Sequence, residues 1–286
     1  MILEYCNCEI CGSSEYEIVW NKEIREQKGV LGSVVIRNND KIIHGQNVVC
    51  KNCGLIYVNP RMTKESLHDF YEHEYREIYH ACRDINETIH LNGIINVLNK
   101  YMIPTNTILD IGAGKGTLVN LLNNSGLNAI GIEPNKGDLN NNILNINFDD
   151  WVTDQKFDII TILNTLEHVY SPKSTLKKIR SLLTNTGIVI LSVPNVFNIN
   201  IKRNVDAYLS NAHIYNFSSD TLINLLRSIG LSPSDIYYIP EIIGDKLYVV
   251  AKKSEPIEVI YSIPDVDLIK SFFNIMSDLI TIKGKL

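Results

Sequence analysis

The chain has 286 residues, 45% hydrophobic and 21% charged, a balance that excludes a disordered or fibrous protein and suits one large domain or two smaller ones. Lys and Arg number 27 against 32 Asp and Glu, and the resulting charge of −5 argues against non-specific attraction to nucleic acid or to an anionic membrane surface. No run approaches the roughly 20 apolar residues of a membrane span, and Met1-Ile-Leu-Glu-Tyr lacks the basic start and apolar middle of a secretory signal, so the cytoplasm is the expected compartment.

Five of the six cysteines precede residue 54, and Cys82 stands apart. Two segments repeat one form, Cys8-Glu-Ile-Cys11-Gly12 and Cys50-Lys-Asn-Cys53-Gly54. Each is a Cys-x-x-Cys-Gly turn that lets two thiolates grip one ion, with glycine tolerating the positive φ of the tight bend. In a reducing compartment clustered thiols favour a metal over a disulfide. Cys8, Cys11, Cys50 and Cys53 therefore read as four ligands of a structural Zn2+, with Cys6 and His44 as substitutes for any one of them. Residues 12–49 make a longer spacer than the roughly 15–20 of the usual pattern, so it should contain folded structure. Ser33–Arg37 and Lys41–Gly45 around the turn residues Asn38-Asn39-Asp40 read as a hairpin, and Gly54–Val58 as a further strand before Pro60. The pattern is that of a zinc ribbon over residues 1–62.

A helical connector follows over residues 63–104. Its first helix, from Lys64 to Tyr79, carries Tyr71, Tyr75 and Tyr79 on one stripe, and its second, from about Ile85 to Tyr101, has Leu91, Ile94, Ile95 and Leu98 on the apolar side. Then Thr107–Ile111, a short apolar strand, enters the glycine loop Gly112-Ala-Gly114-Lys-Gly116 and a helix with Leu118, Leu121 and Leu122. Strand, glycine turn and helix open a nucleotide-binding α/β sheet. A dinucleotide fingerprint needs a third glycine at position 117, which is Thr117.

The motif Asp110-x-Gly112-x-Gly114-x-Gly116 resembles the first motif of class I S-adenosylmethionine-dependent methyltransferases, and the resemblance continues through residues 105–253. It implies a Rossmann-like seven-stranded sheet and S-adenosyl-L-methionine as cofactor. It places the loop backbone at Gly112, Gly114 and Gly116 against the cofactor, with Asp110 as the motif's acidic residue. Glu133, after the second strand, would accept the ribose hydroxyls, a task suited to an acceptor-only carboxylate. Asp149, Asp150 and Trp151 fall where an acidic residue meets the adenine amine. The strand Phe157–Leu163 ends in Asn164-Thr-Leu-Glu167-His168, where cofactor and substrate meet. Ser171-Pro172 starts a helix by N-cap and proline. Next come the strand Ile188–Pro194, a helix after Ser218, a strand around Ile236–Ile239, and Lys246–Ala251 as the reversed strand closing the sheet.

Methyl transfer from a sulfonium needs alignment of donor and acceptor, and a hydroxyl or carbon acceptor also needs a base. His213, in Ala212-His213-Ile-Tyr215-Asn-Phe217, is the first candidate, with His168 second and Tyr215 as the aromatic companion that small-molecule methyltransferases often carry there. A zinc ribbon joined to a methyltransferase core also resembles bacterial sugar C-methyltransferases. Their pattern has a Glu before the histidine and a Tyr three residues before it. Ala212 and Ser210 stand at those positions, which favours O- or N-methylation of a sugar, nucleotide-linked sugar or glycan-attached group over C-methylation. The Asn/Asp-Pro-Pro-aromatic loop of DNA amino-methylating enzymes is absent, so nucleic acid is not expected as substrate. A rival of another class is a ribbon-bearing binding protein without catalysis. The extension 254–286 contains the amphipathic helix Pro264–Ile280, which should dock on the ribbon or on a second subunit as a homodimer contact. Its polar face mixes Asp and Lys, which argues against a membrane.

Overall fold

The computed structural model describes residues 2–20, 37–38, 41–42, 46–71, 91, 93–102, 106–135, 141–198, 205, 209, 213–239 and 246–283. The expectations for hairpin residues 33–36 and 43–45, His44, Tyr75, Tyr79, Cys82, the start of the second connector helix, Ser210 and Ala212 lie outside these residues.

In chain order the described strands are β1 (Leu3–Glu4), β2 (Tyr16–Trp20), β3 (Arg37–Asn38), β4 (Lys41–Ile42), β5 (Asn47–Cys50), β6 (Ile56–Val58), β7 (Arg61–Met62), β8 (Thr107–Ile111), β9 (Asn128–Ile132), β10 (Ile143–Leu144), β11 (Phe157–Leu163), β12 (Leu183–Pro194), β13 (Tyr215–Asn216), β14 (Leu231–Ile239) and β15 (Lys246–Lys253). The helices are α1 (Lys64–Asp69), α2 (Thr117–Asn124), α3 (Pro172–Leu182), α4 (Ser219–Ser228) and α5 (Val266–Lys283).

The main sheet has seven strands in the order β10-β9-β8-β11-β12-β15-β14. From β10 to β12 every pairing is parallel, while β15 is antiparallel to both neighbours. The expected reversed strand is thus present, but it lies inside the sheet between β12 and β14. Parallel strands covered on both faces read as continuous apolar runs, and Ile188 through Val193 are buried accordingly. The chain winds outward from β8 through β9 to β10 and then returns to lay β11 on the other side of β8. A switch point of this kind leaves a crevice at the carboxyl ends of the strands, which is where ligands bind in open α/β sheets.

The helices follow their local signals. Ser171 caps α3 by accepting from the Ser174 amide at 3.3 Å, with Pro172 in the first turn, and Ser218 and Thr221 form a reciprocal capping box on α4. In α2 the buried stripe is Leu118, Val119 and Leu122, whereas Leu121, expected inside, is 40% exposed. Ile94, Val97 and Leu98 of the connector pack with Leu118, Val119 and Tyr248 beneath the sheet.

The amino-terminal region forms a four-stranded antiparallel sheet in the order β13-β6-β5-β2. Its edge strand β13 comes from residues 215–216, more than 100 residues beyond the expected ribbon boundary. Buried amides seal this exchange: the Asn216 side chain donates to Asn47 Oδ1 at 3.0 Å, and the Asn47 amide donates to the Leu209 carbonyl at 2.9 Å. One cluster of buried side chains runs from Cys8, Val48 and Tyr57 through Ile214 and Leu222 to Ile111 and Leu191. The divisions at residues 62 and 105 therefore do not separate two cores. The pair β3–β4 spans the expected turn but forms its own two-stranded ladder, outside the ribbon sheet.

Helix α5 docks on the amino-terminal sheet of its own chain. Phe273 is fully buried against Trp20 with ring centroids 6.2 Å apart, Ile269 packs beside them, and Lys270 pairs with Glu17. The opposite side of the helix leaves Leu268, Ile275 and Leu279 exposed. Among the described residues no helix is long and apolar enough to cross a membrane. The tail is thus an integral part of the fold, which gives a direct expectation. Phe273→Ala should lower stability by about 3–5 kcal/mol in urea unfolding, the cost of emptying a filled aromatic site, while Leu268→Ser changes it by less than about 0.5 kcal/mol. Equal effects would mean that α5 is not seated as described.

Candidate functional site

The glycine loop follows β8, at the switch point of the sheet. Gly112, Gly114 and Gly116 all have positive φ, 75°, 55° and 79°. The Gly112 and Ala113 amides donate to the Ile132 carbonyl at 2.9 and 3.0 Å, folding the loop back onto the end of β9. At Gly112 a side chain is excluded by the protein itself, because an added Cβ would lie 2.2 Å from Thr165 Oγ1. The expected reason for glycine there was approach of a ligand; the observed one is that the turn after β11 packs directly on the loop after β8. The two segments that frame the crevice therefore touch.

Glu133, just after β9, is 8% exposed. Its Oε2 accepts from the Gly114 amide at 2.9 Å and its Oε1 from the Asn135 amide at 3.1 Å. A carboxylate offers about four acceptor positions, so two lone pairs are used to hold the side chain and two remain for a diol. Asp110 is buried beneath the loop and accepts from Thr161 Oγ1 at 2.7 Å. Burial raises its carboxyl to about 7, the Thr161 hydroxyl opposing and the Glu133 charge adding to the rise.

Asp149 and Asp150 lie in the short 3-10 turn Phe148–Asp150, capped by Asn147, and both are exposed. Thr175 Oγ1 donates to Asp149 at 3.3 Å, Asp150 faces Lys64 at 3.8 Å, and Lys178 donates to the carbonyls of Asp149 and Trp151 at 3.0 and 2.6 Å. Trp151 is half-buried against Phe157. This turn follows β10 on the same side of the sheet as Glu133.

After β11, Asn164 takes a positive φ of 48° and its amide donates to the Ser192 carbonyl at 2.9 Å. Asparagine is among the few side chains that accept this conformation readily. The bend sends residues 165–170 across the crevice, where Glu167, His168 and His213 converge: one ligand atom from each lies within 4.8 Å of the other two. His168 Nε2 is 3.8 Å from Glu167 Oε1, and the two imidazole centroids are 5.0 Å apart. His168 Nδ1 is 2.8 Å from the Tyr71 hydroxyl, so the first tyrosine of the connector stripe does reach the site. Glu167 is 2% exposed, and burial lifts its carboxyl to about 8 against the opposing pull of backbone hydrogen bonding and Lys246.

Tyr215 is placed differently from the sequence expectation. It is 1% exposed in β13, its hydroxyl donates to the Tyr170 carbonyl at 2.9 Å and accepts from Arg61 Nη1, and burial raises the phenol well above its ordinary range. A neutral phenol committed to two protein partners fastens the joint between ribbon and core, and is not available as a base. Arg61, Tyr170 and Glu4 complete that joint and carry no motif in the sequence; only the rarity of a buried arginine marks them.

Cys8, Cys11, Cys50 and Cys53 are the four cysteines whose sulfurs gather within 4.8 Å of one another. Sγ of Cys8 and Cys53 are 3.4 Å apart, and those of Cys11 and Cys50 are 3.5 Å apart. A tetrahedral zinc with bonds of ~2.3 Å sets its sulfurs about 3.8 Å apart, so the cluster fits that ion. The two turns match, with Gly12 and Gly54 both at φ 77° and donating to the Cys8 and Cys50 carbonyls at 2.8 and 3.0 Å. Cys6 stands outside the set, with its amide donating to Asn59 Oδ1.

The raised Asp110 carboxyl has a thermodynamic consequence. A folded-state pKa above the unfolded one gives stability that is complete below the unfolded value and is lost as pH rises through about 7. Asp110→Asn removes that loss. Its gain in melting temperature over the parent should be larger at about pH 8 than at about pH 5, and a pH-independent difference would show that Asp110 does not titrate as a buried carboxyl.

Comparison with known proteins is consistent with this geometry. A methyltransferase domain family matches residues 71–234. No curated protein matches the sequence. The fold is similar to Burkholderia thailandensis 1,6-didemethyltoxoflavin-N1-methyltransferase, solved with 1,6-didemethyltoxoflavin and S-adenosylhomocysteine, at 16% identity and TM-score 0.56 over 73% of this chain and 96% of that one. It is also similar to magnesium protoporphyrin IX methyltransferase from Synechocystis with bound S-adenosylhomocysteine, at 13% identity and TM-score 0.51 over 67% of this chain and 100% of that one. The family match spans more than half of the sequence and includes the glycine loop, Glu133 and the Glu167–His168 turn, and on that basis the chain belongs to the methyltransferase-domain family, with the Rossmann-like class I fold.

Proposed function

We propose that the protein transfers a methyl group from S-adenosyl-L-methionine to a hydroxyl or amine of a small acceptor. The observation that carries this reading is the meeting of two segments at the switch point. The loop after β8 and Glu133 form a cradle with free acceptor capacity, and the turn after β11, packed on that loop through Thr165, carries Glu167 and His168, which meet His213 from the segment before β13. When bound, the cofactor supplies an electrophilic sulfonium methyl, which takes a lone pair from the acceptor as the carbon–sulfur pair returns to sulfur.

The residues divide the work. Glu133 takes the ribose diol, and the glycine loop backs the amino acid end. Asp149, Asp150 and Trp151 border the adenine, and Asn164 shapes the wall between donor and acceptor. The Glu167–His168–His213 cluster is placed to assist loss of the proton from an acceptor O–H or N–H, and the Tyr71 hydroxyl orients His168 from 2.8 Å. Ordering these groups before binding is what a positioning catalyst needs.

A sugar, nucleotide-linked sugar or glycan-attached group is the acceptor we favour. The support is the pairing of a four-cysteine ribbon with this core and the negative charge of the chain, which disfavours a polyanion. The two similar solved enzymes are named for methylation of 1,6-didemethyltoxoflavin and magnesium protoporphyrin IX, neither of them a polymer. The four cysteines hold a structural Zn2+: a full sulfur set leaves no open position for chemistry. The exposed side of α5, with Leu268, Ile275 and Leu279, is the surface through which a homodimer would form.

Calorimetric titration with S-adenosylmethionine tests the reading. The parent protein should bind, and Glu133→Ala should weaken binding at least about a hundredfold, since two hydrogen bonds to a charged acceptor are lost. A folded parent that does not bind the cofactor overturns the enzyme assignment.

A further inference from the structure

We propose that Glu167, His168 and His213 form a divalent cation site, separate from the cysteine cluster, and that the cation holds an acceptor oxygen beside the methyl donor. The inference rests on the methyltransferase reading above and narrows it to oxygen as the methylated atom.

Three observations converge. The first is the donor set: a carboxylate oxygen and two imidazole nitrogens, from the turn after β11 and the segment before β13, lie within 4.8 Å of one another. Donors about 2.1 Å from a common ion lie about 3–3.5 Å apart, so small side-chain rotations bring these three onto one cation. The second is Glu167 Oε2, which is buried and has no hydrogen-bond partner among the described residues. A buried carboxyl oxygen without a polar partner is costly whichever its protonation state, and a cation bound there would remove that cost. The third is the Tyr71 hydroxyl 2.8 Å from His168 Nδ1. With Nδ1–H donating to the phenol, the lone pair sits on Nε2, the atom that faces Glu167 Oε1 at 3.8 Å. Ligating histidines are commonly oriented by such a contact on the other ring nitrogen.

One carboxylate and two imidazoles suit Mn2+, Fe2+, Co2+, Ni2+ or Zn2+ better than Ca2+ or Mg2+. Three protein ligands leave positions open for the acceptor, and an acceptor with two neighbouring hydroxyls can fill two of them. The ion's charge then does the work of a base: the bound O–H loses its proton to water, and the oxygen lone pair is released for methyl transfer. Neither histidine takes the proton. Because Thr165 packs on Gly112, the bound oxygen lies next to the cofactor loop.

The test is a metal count. The Zn2+-loaded full chain, its His213→Ala variant and its Glu167→Gln variant are dialysed to equilibrium against Co2+, with circular dichroism confirming that each is folded. The parent should hold one ion more per chain than either variant, and the visible spectrum of the added Co2+ should lack thiolate charge transfer. His213→Ala, at a partly exposed position, decides the matter if the buried Glu167→Gln variant does not fold. Equal ion counts in parent and folded variants overturn the proposal. The count needs no cofactor, so failure of S-adenosylmethionine to bind would overturn the function while leaving this result to stand or fall separately.

Discussion

A guanidinium can be buried only where its charge and its donors are matched by nearby acceptors. Arg61 is 4% exposed, and its partners come from three distant parts of the chain. Nε donates to Glu4 at 3.1 Å, Nη1 donates to the Tyr170 carbonyl at 2.7 Å and to the Tyr215 hydroxyl, and the guanidinium carbon stacks 4.0 Å over the Tyr170 ring. Tyr170 ends the turn that carries Glu167 and His168, and Tyr215 lies two residues after His213. The same side chain that anchors the ribbon sheet therefore fixes both arms of the candidate acceptor site.

This joint explains why the amino-terminal sheet takes a strand from the core. Residues 213–217 run between the two: the Tyr215 amide donates to the Glu167 carbonyl at 3.3 Å, and the Val58 amide donates to the Ile214 carbonyl at 2.9 Å. The small amino-terminal sheet has too little interior of its own. It gains an edge strand from the core, a covering helix from α5 and, in the proposed reading, a zinc ion at its end. In return it holds the segment that carries His213.

Features of the sequence that act over short range were readable. The glycine loop, the cap at Ser171, the helix after Ser218, the apolar runs of β11 and β12 and the paired cysteine turns all follow from neighbouring residues, and each is found where expected. Long-range choices were not readable. Nothing local in Ile214-Tyr215-Asn216 says that it joins β6, and so Tyr215, expected from the resemblance as the aromatic companion of His213, is a buried fastening instead. Leu121 shares the helical pattern of Leu118 and Leu122 but is exposed, and Val119 takes the buried place against the sheet instead. Glu133 was identified from its position after β9, but the two backbone amides that hold it, from Gly114 and Asn135, depend on how the loop folds back. Arg61 and Thr165 gave no signal, since one acts through charge matching across the fold and the other through a contact with a glycine.

The central claim is that the cysteine-held sheet and the acceptor site are mechanically one structure. Hydrogen exchange before and after removal of the cysteine-bound ion by a chelator tests it most directly. The account predicts faster exchange not only at the amides of Gly12 and Gly54 but also across residues 164–170 and 213–217, with β8 and β11 unchanged. Faster exchange confined to the two cysteine turns, with 164–170 and 213–217 as protected as before, would contradict it.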